Sequence, residues 1–288
     1  MATEAHNSEC IFSVDVEDWF HILDVPSTPR LSQWESLPSH VEKNFRRLLD
    51  IFAEHNVHVT CFFLGWIAEK YPHLVKEAVK EGHEIASHGY SHTLVYQMTQ
   101  KEFYRDALKS KDILEDITGK PVCGYRAAGF SVTEKTPWFF QALIEAGFRY
   151  DTSVFPASRS HGGIKHGRYA PYVVRDGCQH LVEIPITIWQ LWKMPLCLFG
   201  GGYLRFFPYH AIQFATRAVL QEGRPVVFYV HPREIDVDQP RLPMNWQRRL
   251  KCYVNMGTTE RKIETILQEF RITTFEKFLM SHEMHMRI

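Results

Sequence analysis

The chain reads as an α/β protein built on a parallel sheet, open or closed. Short β-branched runs alternate with amphipathic segments along most of the 288 residues, the order that gives strand–helix–strand units. Glycine follows four of the helical segments, at Gly82, Gly119, Gly147 and Gly223, where a left-handed residue closes a helix. Polar clusters fall at the C-terminal ends of the strand-like runs, the edge on which parallel α/β folds build their sites.

The expected elements follow in order. The run from 10 to 16, CIFSVDV, is a strand ending in acids. Residues 41–55 carry Val41, Phe45, Leu48, Leu49 and Phe52 at helical spacing. A strand is expected over 57–64, a helix over 68–81, and a short strand over 83–86 leading into a histidine cluster. A long helix over 99–118 is stopped by Gly119 and Pro121. Strands at 122–126, 150–153, 180–186 and 225–230 alternate with helices at 136–146 and 209–222. A last helix at 258–270 precedes a short strand at 272–274. One domain spanning 1–288 is expected, with an insertion loop at about 158–175 and a C-terminal extension at about 236–288.

Composition narrows the function classes. The 33 basic and 33 acidic residues give no net charge, so nothing points to a nucleic-acid partner. The six cysteines are scattered with no C-x-x-C pair, which argues against a zinc ribbon or a disulfide scaffold. Reduced, mostly buried thiols in a cytoplasmic protein are expected. Residues 1–9 are polar, without the apolar core of a secretory signal, and no run of about 18 apolar residues suggests a membrane span. An exported polysaccharide would then be met before export.

Four polar clusters carry the chemistry. Asp15 and Glu17 end the first strand and, by alternation, point to the same side, whereas Asp18 points away if the strand continues. Two adjacent carboxylates need a cation or a metal to hold one of them charged. His88 and His92 lie four apart and share one face of a helical turn, close enough for one metal. One carboxylate plus two histidines leaves a position open for water, as in catalytic zinc sites. Arg126 ends a strand before small residues and Gly129, an arrangement suited to a charge clamp. His231 ends a buried apolar strand, where a partly desolvated histidine suits acid–base work. Each has a plainer reading: an acidic turn, surface histidines, a surface ion pair, a core histidine.

Taken in this order, the clusters resemble the polysaccharide deacetylases of the NodB-homology type, carbohydrate esterase family four. The matching positions are Asp15/Glu17, His88/His92, Arg126, Asp151 (in Y-D-T-S) and His231. The segments V-D-V-E-D-W-F, Y-D-T-S-V-F-P, E-I-P-I-T, G-G-G-Y-L-R-F-F-P and H-P-R-E-I-D resemble a subgroup associated with exopolysaccharide and O-antigen loci.

The resemblance implies a distorted (β/α) barrel with fewer than eight strands and one divalent metal, usually Zn2+. It implies an amino-sugar or polysaccharide substrate losing an N-acetyl group. Asp15 would be the general base, His88 and His92 ligands, and His231 the general acid. Arg126 would hold Asp15 ionised, and Asp151 would tune His231 or its surroundings. A backbone N–H near Gly129 or Phe130 would stabilise the oxyanion. Two departures from the family pattern stand out. Val16 follows Asp15 where most members have a second aspartate, so alternation favours Glu17 as the ligand, with Asp18 the alternative. Ala127-Ala128 replaces the prolines of many members.

Tyr203, after Gly200-Gly201-Gly202, and Trp189 are candidate sugar contacts, although glycines there also suit a turn and Trp189 could simply pack. Competing functions are a deformylase on a formamido sugar, a carbohydrate-binding protein that has lost catalysis, and an unrelated metal-binding structural domain. The last gives no reason for Asp15, Arg126 and His231 to stand at strand ends.

Overall fold

The computed structural model describes residues 9–23, 25–158, 162–192 and 194–282. The strands are β1 (Cys10–Val16), β2 (Thr60–Phe63), β3 (Glu84–Ser87), β4 (Gly124–Tyr125), β5 (Tyr150–Asp151), β6 (Tyr172–Asp176), β7 (Gln179–Glu183), β8 (Trp189–Leu191), β9 (Met194–Leu196), β10 (Val226–Val230) and β11 (Ile272–Thr273). The helices are α1 (Val41–Glu54), α2 (Gly65–Lys70), α3 (Pro72–Lys80), α4 (Gln100–Thr118), α5 (Phe139–Glu145), α6 (Gly201–Phe206), α7 (Tyr209–Gln221), α8 (Trp246–Tyr253), α9 (Thr259–Glu269) and α10 (Phe275–His282).

Among the described residues one sheet runs β10-β1-β2-β3-β4-β5-β7-β6, with β11 beside β1. Seven strands of that path are parallel; β6 is an antiparallel edge on β7. This is the α/β architecture of a distorted barrel. β11 pairs with Cys10 and Ile11, below the point where β2 takes over at Ser13.

Strand alternation sorts the two faces. Phe12, Val14 and Val16 of β1 pack outward under the helices with Phe45, Leu48 and Phe52 of α1. Ile11, Phe62, Tyr150, Val227, Tyr229 and Phe275 fill the inner face. Ser13 and Asp15 share the inner face with Ile11, so that column becomes polar exactly as it reaches the C-terminal edge. The register sets Ser13 against Tyr229 and Val14 against Val230, so Asp15 stands next to His231.

Several elements differ from the sequence expectation. The single helix expected over 68–81 is two, because Pro72 starts α3 and the residue before a proline, Tyr71, leaves the helical region (φ −126°, ψ 59°). The insertion loop is shorter than expected: residues 159–161 lie outside the described residues, and from Tyr172 the chain forms β6. The C-terminal segment is wound into the fold, since β11 pairs with β1 and Phe275 stacks on Tyr150 (ring centroids 5.4 Å). The hairpin β8–β9 and helices α6, α8 and α10 carried no clear periodic signal.

His83 has a consequence for stability. Its ring is buried, its Nδ1 accepts the Val59 N–H at 3.1 Å, and burial pushes its pKa down to about 4. In the unfolded chain it protonates near pH 6.5. The contribution to stability is therefore complete above pH ~6.5 and is lost as pH falls towards 4, by on the order of 3 kcal/mol. Urea midpoints at pH 7, 5.5 and 4.5 should fall in that order, and less steeply in His83→Gln. Identical slopes for the two proteins would contradict this reading.

Candidate metal centre and active site

The first motif lies at the end of β1. Asp15 is buried, and Arg126 Nη1 donates to its Oδ1 at 2.5 Å and to Ser13 Oγ at 2.9 Å. Arg126 is fully buried, with its guanidinium 4.1 Å from the Phe62 ring centroid and further from Phe130, Tyr229 and Phe275. Burial works against the Asp15 charge, but Arg126, His88 and His231 outweigh it and hold the carboxyl below its ordinary value. Asp15 is therefore an ionised carboxylate at neutral pH.

Glu17 follows through a tight turn in which its N–H bonds the Asp15 carbonyl at 3.0 Å. Its Oε2 lies 3.0 Å from His92 Nε2, and its Oε1 3.0 Å from His231 Nε2. Asp18, the alternative ligand, is engaged as a cap: its oxygens accept from Trp19 N–H (2.8 Å), Ser39 Oγ (2.6 Å), His40 N–H (3.0 Å) and Val41 N–H (3.2 Å).

His88 and His92 follow β3, but not on a helical turn. Gly89 (φ 71°) and His92 (φ 52°) are both left-handed, so residues 88–92 form an irregular turn. The Asp106 carboxylate on α4 holds it by accepting the Tyr90 and Ser91 N–H groups at 2.8 and 3.0 Å. Sequence reasoning missed Asp106, since a carboxylate on a helix face carries no local sign of a distant turn. The two rings end 5.3 Å apart. A carbonyl can only accept, so His88 Nδ1 donates to Arg126 O at 2.8 Å, which leaves Nε2 with its lone pair.

Glu17, His88 and His92 each offer a ligand atom, and these atoms lie within 4.8 Å of one another; all three residues are buried. Burial pushes His88 down to about 4 and His92 well below its usual value, so both rings are neutral donors. Burial pushes Glu17 up to about 7, the behaviour of a carboxylate short of a cation. Two neutral imidazoles and one carboxylate suit a divalent ion, zinc among them. The residues present therefore fit a metal of that class.

His231 stands just past β10. Burial alone would lower its pKa, but Glu17, Glu234 and Asp15 outweigh burial and raise it. Its Nε2 is 3.8 Å from Asp15 Oδ2, and its Nδ1 faces Glu234 Oε1 at 3.5 Å. Asp151, expected to tune His231 or its surroundings, is engaged with Ser153 and Glu183. It accepts from Ser153 Oγ (2.5 Å) and N–H (3.2 Å) and faces Glu183 across β5–β7. Burial raises Asp151 to about 6 and Glu183 well above its usual value, so Glu183 is the protonated member of a carboxyl pair. Among the described residues Asp151 is linked to the site through Ser153 Oγ, which accepts the Ala127 N–H at 2.7 Å next to Arg126.

The expected substrate contacts divide. Gly129 (φ 59°) and Phe130 (φ 51°) form a left-handed turn. The Phe130 N–H bonds Ala127 O at 3.1 Å and its ring is buried against Tyr229, so the Phe130 N–H is already engaged. Tyr203 lies half exposed on α6, two residues beyond Gly201, whose Cβ position is 3.8 Å from Glu234 Oε1. Trp189 is misassigned. It packs on Phe214 of α7 (5.7 Å), and Arg224, just before β10, reaches the neighbouring Ile188 carbonyl. That is the opposite end of β10 from His231.

Packing explains Gly200 and Gly202, and a left-handed backbone (φ 55°) explains Gly201. A Cβ on Gly200 would lie 2.3 Å from the Tyr229 ring, and one on Gly202 2.7 Å from Lys251 O. Gly200→Ala is expected to destabilise the protein by about 1–3 kcal/mol, measured as a lowered urea midpoint; an unchanged midpoint would contradict the contact.

Comparison with known proteins agrees with this architecture. Residues 33–150 match the polysaccharide deacetylase family model, and residues 152–280 match a domain of unknown function, DUF3473. A peptidoglycan deacetylase of Helicobacter pylori is 33% identical over 136 residues, 47% of this chain and 42% of that protein. A Bacillus cereus peptidoglycan-N-acetylglucosamine deacetylase is 38% identical over 73 residues, 25% of this chain and 26% of that protein. The matches thus span less than half the length of these relatives. A Mycobacterium smegmatis protein assigned as a polysaccharide deacetylase has TM-score 0.66 and 19% identity, covering 99% of this chain and 93% of that one. The Puue allantoinase has TM-score 0.65 and 19% identity, covering 98% and 92%. No helix among the described residues is long and apolar enough to cross a membrane. The chain is similar to polysaccharide deacetylases over residues 33–150 and to DUF3473 over residues 152–280, and it shares the fold of the M. smegmatis structure along nearly its whole length.

Proposed function

We propose that this protein is a metal-dependent hydrolase that removes an N-acetyl group from an amino sugar of a cell-surface polysaccharide or its precursor. One observation carries the reading: a buried Glu17–His88–His92 ligand set lies beside an ionised carboxylate and a third histidine, His231, at the C-terminal edge of a parallel sheet. The deacetylase matches support it. The motifs shared with exopolysaccharide and O-antigen proteins support that class of polymer. The allantoinase neighbour is a reminder that this fold alone does not choose a substrate. Six cysteines, four of them buried, that form no disulfide among the described residues support a reducing compartment and a substrate met before export.

Glu17, His88 and His92 would hold the ion, zinc by donor type. A bound divalent ion supplies Lewis acidity, lowering the pKa of water to about 7 and polarising a carbonyl. Asp15, kept ionised by Arg126, accepts the proton as water attacks the amide carbon at its Oδ2 side. The Gly129 N–H would donate to the developing oxyanion. His231 Nε2 protonates the departing nitrogen, because an amine anion is a very poor leaving group.

The test is product analysis. The zinc-loaded full chain, incubated with N-acetylated and N-formylated amino-sugar oligomers, is expected to release acetate. Formate release alone would move the assignment to a deformylase. Bound metal with no turnover on any acylated sugar would favour a carbohydrate-binding protein.

A further inference from the structure

We infer that α6 and α8 together form a face that docks on an anionic lipid surface, beside the catalytic edge of the sheet. The docking goes beyond the deacetylase reading; only its consequence for the substrate rests on that reading.

The chain has no net charge, so attraction to an anionic surface has to come from where its charges lie. They are unevenly placed. No acidic residue stands between Glu183 and Glu222, or between Asp238 and Glu260. Helix α6 lies in the first of these runs and α8 in the second. The second run carries Arg241, Arg248, Arg249 and Lys251, of which Arg249 and Lys251 are exposed on α8 itself.

The same two helices turn large apolar side chains outward. Trp246 and Leu250, four apart and so on one side of α8, are 73% and 50% exposed. Tyr203 and Phe206, three apart on α6, are 48% and 57% exposed. A surface helix ordinarily buries such a stripe; α8 instead buries Cys252 and Tyr253. The two helices make one surface, since Arg205 Nη1 and Nη2 on α6 donate to the carbonyls of Cys252 (2.6 Å) and Lys251 (3.1 Å) on α8.

Exposed rings flanked by cations and free of acids suit the headgroup layer of a membrane. The rings enter the boundary with the acyl chains, and Arg249 and Lys251 meet the lipid phosphates. A two-fold dimer through this face would instead bring its cations together with no acid to pair them. The face also borders the site. Arg248 Nη2 donates to the Leu23 carbonyl at 2.7 Å, in the loop that follows β1. Gly201, at the start of α6, has its Cβ position 3.5 Å from the Tyr229 ring and 3.8 Å from Glu234 Oε1. Docking therefore brings the edge that carries Asp15 and His231 towards the lipid, and the substrate class that follows is an amino sugar carried on a lipid anchor.

The test is co-sedimentation of the full chain with vesicles, which needs no turnover. Vesicles of phosphatidylglycerol and phosphatidylethanolamine are compared with phosphatidylcholine vesicles. The wild type is expected to bind the anionic vesicles roughly tenfold or more tighter than the neutral ones, and to lose most of that binding at about 0.5 M NaCl. Trp246→Ser with Leu250→Ser should weaken partitioning roughly tenfold or more. Arg249→Glu with Lys251→Glu should weaken it roughly 30-fold or more. Met280 is 65% exposed on α10, at the other edge of the sheet, where the Glu276 N–H bonds Glu84 Oε2 at the start of β3. A scattered apolar residue of that kind is ordinary surface, so Met280→Ser should bind within about twofold of wild type. No binding to anionic vesicles, equal binding to neutral ones, or binding unchanged in either double variant overturns the proposal. So does a lipid-free dimer that Trp246→Ser dissolves, which assigns the face to a second copy of the chain. The two readings fail separately: absent deacetylation leaves vesicle binding intact, and absent docking leaves acetate release from a soluble amino-sugar oligomer intact.

Discussion

Replacing Asp15 with Asn is expected to lower deacetylation of an N-acetylated amino sugar by roughly 10²- to 10⁴-fold, the usual contribution of a positioned general base. The same change removes the anionic partner of a guanidinium with no exposed surface. Among the described residues Arg126 Nε and Nη2 have no hydrogen-bond partner, and the surroundings are aromatic rings. An unpaired buried charge costs about 3–5 kcal/mol. Asp15→Asn is therefore expected to lower the urea midpoint as well as the rate. The two effects separate in a double mutant: Asp15→Asn with Arg126→Met should regain stability relative to Asp15→Asn alone, because a methionine among Phe62, Phe130 and Phe275 leaves no charge to solvate. Its activity should not return. Near-normal activity of Asp15→Asn would remove Asp15 from the proposed base role. A double mutant less stable than the single would show that the aromatic box does not require the pair.

How far the sequence was legible follows the range of the interactions. Helix ends were marked by glycines whose left-handed backbone is a local need, and Gly82, Gly119, Gly147 and Gly223 all have positive φ. Asp15, Glu17, His88, His92, Arg126 and His231 were legible because alternation and strand ends locate them together. Asp106 was not, since it acts on a turn remote in sequence. Glu234 had a local sign that went unread: it follows His231 by three residues, after a proline, the spacing of a capping turn. Asp18 and His21 form the same motif, which explains why Asp18 caps a turn instead of facing the ligand set. Trp189 misled because an aromatic residue looks alike whether it meets a sugar or Phe214.

The second large effect concerns the ligand set. Loss of either histidine leaves two protein ligands where a divalent ion needs at least three with an open position. His88→Ala and His92→Ala are each expected to empty the site and reduce deacetylation to background. Their outer partners differ, since only His88 bonds the Arg126 carbonyl, so agreement between the two variants would not arise from one shared disturbance. The most direct test of the central claim is the metal content of the purified full chain after zinc reconstitution, measured beside both variants. About one metal per chain in the wild type, lost in His88→Ala and in His92→Ala, is the expected result. Full occupancy in either variant, or no metal in the reconstituted wild type, would contradict the Glu17–His88–His92 centre and the proposed chemistry with it.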